Sequence, residues 1–180
     1  MTSGTSGETT TLTGERADLL ATLEHARHFL RYTARDLDDD QARQRTTASE
    51  LTIGGLIKHV MAVERSWARF IVHGPATSPD FSAMTEADFA AWADGFRLLP
   101  GETLAGVLDE YAEVTGRTDE LLATVPDLDA SHPLPSAPWN PPNARWSARR
   151  TLLHIAEETA QHAGHADIIR ESLDGAKSMG

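Results

Sequence analysis

Residues 145–175 read RWSARRTLLHIAEETAQHAGHADIIRESLDG, and this stretch decides the fold. From near Ser147 to Leu173 or Asp174 it carries the three- and four-residue recurrence of a long helix. Gly175 follows in the position where a left-handed residue closes helices. At about 100° per residue, His154, Glu158, His162 and His165 fall on one narrow stripe. That stripe is polar where a bundle helix should be apolar, because Leu152, Leu153, Ile155, Ile168 and Ile169 do not cover a full inward face. Such a ladder against a core leaves costly unsatisfied groups unless they pair with one another or hold a cation.

Working outward, three more long segments have the same period. The first runs over residues 15–37, with Leu19, Leu20, Leu23, Ala26, Phe29, Leu30 and Leu37 on its repeat, and Asp38, Asp39 and Asp40 open a polar loop after it. The second follows Thr52, a suitable N-cap, and carries Ile53, Leu56, Ile57, Val60, Val63, Trp67 and Phe70 as far as Gly74 and Pro75. A short helical piece at about residues 86–96 leads to the third, residues 104–125, stopped by Pro126. The proline-rich stretch 133–143 reads as a crossover, and no strand pattern competes anywhere. The sequence therefore predicts an all-α four-helix bundle over residues 13–175, with disordered tails at 1–12 and 176–180.

Composition narrows the function. A net charge of −11, from 27 acidic and 16 basic residues without a basic run, argues against nucleic acid or an anionic membrane as a partner. No apolar stretch approaches the length of a membrane span, and the polar opening lacks the apolar centre of a secretory signal, so a cytoplasmic location is expected. With no cysteine, the available metal ligands are His, Asp and Glu, and any thiol chemistry uses a thiol brought by a substrate. Lys58 and Lys177 are the only lysines, an arginine bias of the kind a GC-rich genome produces.

Glu158 and His162 are spaced i, i+4, so both can point at one ion between helices. His59 interrupts the apolar face of the second helix between Leu56 and Val63. Two donors from one helix and one from another make a three-ligand site with open positions, the arrangement of catalytic metals. On the residues alone, the commoner reading of a lone histidine in an apolar pattern is a hydrogen-bonded core residue. The commoner reading of an i, i+4 pair is a solvated face.

The segments LTIGGLIKHVMAVERSW and RWSARRTLLHIAEETAQHAGHADIIRESLDG resemble the second and fourth helices of the DinB-like (YfiT-like) metalloenzyme superfamily. The resemblance implies an up-down-down-up bundle, often dimeric, with a divalent metal held by His59, Glu158 and His162. Glutamate at 158 departs from the all-histidine version and is similar to the two-His, one-Glu set of the mycothiol-dependent maleylpyruvate isomerase relatives. The implied metal is zinc, with nickel, iron and manganese as alternatives. The implied chemistry is activation of a low-molecular-weight thiol of the mycothiol type for transfer to, or isomerisation of, a small electrophile.

Two other functions stay open at this stage: a non-haem iron enzyme with a two-His, one-Glu site, and a metal-binding or scaffolding bundle without catalysis. Around the site, His165 is expected as a fourth ligand, as a hydrogen-bond donor behind the ligands or as a proton-transfer group. His154, Arg149 and Trp139 are expected at the substrate pocket.

Overall fold

The computed structural model describes residues 12–77, 84–137 and 139–179. Four long helices, α1 (Glu15–Thr33), α3 (Ile53–His73), α5 (Leu104–Thr124) and α6 (Ala148–Asp174), form the body; α2 (Asp39–Arg43) and α4 (Glu86–Asp94) are short. Most of the N-terminal tail expected from sequence lies outside the described residues. Three of the long helices start the same way. The hydroxyls of Thr52, Thr103 and Ser147 accept the backbone N–H groups of Gly55, Gly106 and Arg150, each cap contributing about 1 kcal/mol. Gly175, at φ 80°, closes α6 in the left-handed conformation.

Contacts between the helices fix their directions. Arg149, at the start of α6, pairs with Glu15 at the start of α1, and Arg170, near the end of α6, donates to the carbonyls of Thr33 and Arg35 at the end of α1. These two helices run parallel. Arg16 donates to the carbonyls of Leu122 and Val125, so α1 begins where α5 ends. Lys58 pairs with Glu102 and Arg65 with Glu110, in step along α3 and α5. In chain order, the four helices therefore run up, down, down and up.

Three details differ from the sequence reading. Helix α1 stops at Thr33, and Asp36 takes a positive φ of 59° in the turn that follows. The aspartate run does not open a loop: Asp38 caps α2 reciprocally with Gln41. The crossover holds a small antiparallel pair, β1 (Ser131–Pro133) and β2 (Arg145–Ser147), with His132 opposite Trp146. Three residues per strand are too few for alternation to register in a sequence. Beyond Gly175, the Ser178 N–H donates to Asp167 at 2.7 Å and Lys177 pairs with Glu171, which lays residues 177 and 178 back along α6.

The core falls into two apolar clusters. One gathers Leu30, Leu56, Ile57, Val60 and Tyr111, the other Leu19, Leu23, Leu122, Leu152 and Ile155. Between them lies a charged layer. Arg27 and Glu64 are 1% and 0% exposed; the Arg27 guanidinium donates twice to Glu64, and at 2.8 Å to Asp119. This ties α1, α3 and α5 together at mid-height. Neither Arg27 nor Glu64 is distinguishable from a surface charge in the sequence pattern.

Candidate metal centre

His59 stands about two turns into α3, and Glu158 and His162 one turn apart on α6, facing it across the antiparallel α3–α6 contact. One donor atom from each can be chosen so that all three lie within 4.8 Å of one another. Among the described residues this is the one cluster of three such donors. His162 Nε2 is 3.5 Å from Glu158 Oε2, and the His59 and His162 rings meet edge to face with centroids 4.9 Å apart.

The electrostatics suit a cation. Burial, aided by the neighbouring His162, pushes the His59 imidazole down to about 4, so it is neutral with a lone pair available near pH 7. Hydrogen bonding to His162 holds the Glu158 carboxyl below the usual carboxylate range despite partial burial. A neutral imidazole and an ionised carboxylate are the forms that ligate metals.

Donors each about 2.1 Å from a tetrahedral ion are about 3.4 Å apart. The Glu158–His162 separation of 3.5 Å already matches that spacing. The residues present therefore fit a divalent ion bound by two nitrogens and one oxygen.

The three donors lie in a cleft of about 740 Å³. Its wall includes all four tryptophans of the chain, Trp67, Trp92, Trp139 and Trp146, brought from α3, α4, the crossover and β2. Trp67 stacks on Trp146 with centroids 4.9 Å apart, and both meet the His154 ring edge to face. Arg150 covers the Trp146 ring, its guanidinium carbon 4.5 Å from the centroid, and pairs with Glu157 at 3.5 Å. Phe96 lies flat against His59, ring centroids 4.0 Å apart and planes 20° apart.

The expected pocket residues divide. Trp139 and His154 line the cleft. His154 Nε2 is 3.8 Å from Glu158 Oε1, too long for the direct hydrogen bond that its spacing suggests, and burial lowers its pKa. Arg149 lies outside the cleft, between Glu15 and Asp129, where two carboxylates satisfy it; the next residue, Arg150, takes the wall position. His165 does not line the cleft either. Its Nδ1 is 3.4 Å from His162 Nδ1, which places it behind His162 as seen from the cleft. Sequence reasoning missed Phe96, whose only signal is a ring beside a short helix. The sequence does not separate Arg150 from the adjacent Arg149.

The chain has a counterpart among known families. The mycothiol S-transferase family matches residues 18–175, nearly the whole described body, and the chain belongs to this family, within the DinB-like superfamily. A search of curated proteins returns no match.

Proposed function

We propose that the protein is a divalent-metal-dependent S-transferase that uses a low-molecular-weight thiol of the mycothiol type, with His59, Glu158 and His162 holding the ion and His154 accepting the thiol proton. The observation that carries this reading is the cluster of three complementary donors in a large cleft. The family's name points to the thiol. Two imidazoles and a carboxylate suit zinc.

The bound ion would supply Lewis acidity, lowering the pKa of a coordinated thiol. Glu158 contributes the one negative charge of the donor set, so the centre keeps a net charge of about +1 with a divalent ion. His154 is neutral near pH 7 and lines the same cleft as the donors, so it can take the thiol proton. Trp67, Trp146 and Phe96 keep water from the sulfur while it attacks an electrophilic carbon. The S–C bond forms as the leaving group departs with its electron pair.

The test compares metal-free and zinc-loaded protein in conjugating mycothiol to a halonitroarene, followed by chromatography of the product. Zinc should restore turnover, and His154→Ala should lower kcat with metal content unchanged. Equal rates with and without metal would overturn the reading. So would rates at background with each of mycothiol, bacillithiol and glutathione.

A further inference from the structure

The segment between α4 and α5 approaches α3 more closely than ordinary helix packing allows. A Cβ built on Gly55 would lie 1.9 Å from the Phe96 carbonyl oxygen, and one on Gly54 would lie 2.5 Å from the Leu98 side chain. Only glycines admit this segment. Gly55 is one turn before His59, so the backbone of Phe96 is seated directly beside that histidine's own stretch of helix.

The seat is bonded as well as packed. Lys58, next to His59 in the chain, donates to the carbonyls of Asp94 and Arg97, both at 3.2 Å, and to the Glu102 carboxylate at 2.8 Å. Glu102 in turn accepts the Leu99 N–H at 2.7 Å, and Leu98 is buried at 6% exposure in the core. The segment is therefore held on both sides of Phe96, and the ring it delivers lies flat on the His59 imidazole at 4.0 Å.

An imidazole turns easily about its last side-chain torsion, which is broad and roughly two-fold. A flat ring on one face stops that rotation, and His162, edge-on at 82°, closes another side. Loss of a group that orients a metal ligand typically costs about 10–100-fold in metal affinity.

From this we infer that Phe96 is a positioning residue for the metal centre: it fixes the plane of His59, and Lys58 with Glu102 latches the segment that carries it. The inference rests on the three-donor reading of the site.

The experiment measures zinc affinity by competition with a chromophoric chelator, together with the visible spectrum of the cobalt(II)-loaded protein, for wild type, Phe96→Ala, Phe96→Tyr, Lys58→Met and His59→Ala. Phe96→Ala and Lys58→Met should each weaken zinc binding on the order of tenfold and shift the cobalt bands. Phe96→Tyr, which keeps the flat ring, should retain both, and this rescue separates positioning from a general loss of fold. If Phe96→Ala binds zinc as tightly as wild type with the same cobalt spectrum while His59→Ala loses the metal, the positioning role is wrong and the site stands. If His59→Ala also binds like wild type, the three-donor reading fails with it.

Discussion

Replacing Arg27 with methionine leaves the Glu64 carboxylate in the centre of the bundle without its cation. Arg27 is 1% exposed and Glu64 fully buried, so neither water nor another base can take the arginine's place by simple rotation. Removing one partner of a buried pair costs about 3–5 kcal/mol, because the remaining charge is stranded in low dielectric. For a chain of this size each kcal/mol lowers Tm by about 2–4 °C, so the expected drop is roughly 6–20 °C.

The double variant Arg27→Met/Glu64→Leu removes both charges. It should recover most of the loss, since an apolar replacement of a buried pair is often neutral or stabilising. Asp119→Asn should cost at most about 1 kcal/mol, because that partner's side chain is 34% exposed and its charge is shared with solvent. Urea denaturation of wild type, these three variants and Glu64→Leu at one pH measures all three quantities, and the coupling between Arg27 and Glu64 follows from the cycle. Arg27→Met within about 1 kcal/mol of wild type, or a double variant no more stable than Arg27→Met, would refute the claim that an unpaired charge is what the mutation creates.

Two further outcomes follow from the site. In metal-free protein, His59 has a folded pKa of about 4 against 6.5 for the free side chain, so the unfolded chain takes up the proton first as pH falls. Its contribution makes the fold less stable from about pH 6.5 down to about pH 4, by up to about 3 kcal/mol. The lowered pKa of Glu158 acts in the same direction, its stabilisation being lost as pH falls through its folded value. Urea midpoints at pH 7 and pH 4.5 should diverge less in His59→Gln than in wild type, and parallel declines would contradict this. Arg149→Ala should leave KM for the electrophile unchanged, since its partners are Glu15 and Asp129, whereas Trp139→Ala should raise KM by about three- to tenfold through loss of an aromatic contact. Steady-state kinetics on the two variants would show the reverse order if Arg149 held substrate.

The long helices were legible because their signal is local. Apolar recurrence, a threonine or serine cap and a closing glycine all lie within the element they define, as at Thr52 and Gly175. The clustering of the candidate site residues was legible in part for the same reason: Glu158 and His162 share one helix, and their spacing alone places them together. What escaped depends on pairs remote in sequence. Arg27 meets Glu64 across 37 residues. Phe96 meets His59 through a seat that only the fold of the α4–α5 segment reveals. Arg149 and Arg150 are adjacent and chemically alike, and only the positions of Glu15, Asp129 and Trp146 in space decide which faces the cleft.

The division of labour between helices and connections has a consequence for engineering. All three donors ride on α3 and α6, whereas Trp92 and Trp139 come from α4 and the crossover. Binding surfaces on connections tolerate exchange far better than the scaffold beneath them. The crossover from Ser131 to Ser147 is closed at its base by the β1–β2 pair, so its tip can be replaced as a cassette with both ends already in register. On the proposed function, a library built on that cassette would vary which molecule is admitted while leaving His59, Glu158 and His162 untouched, and retargeting this scaffold becomes a problem of loop grafting.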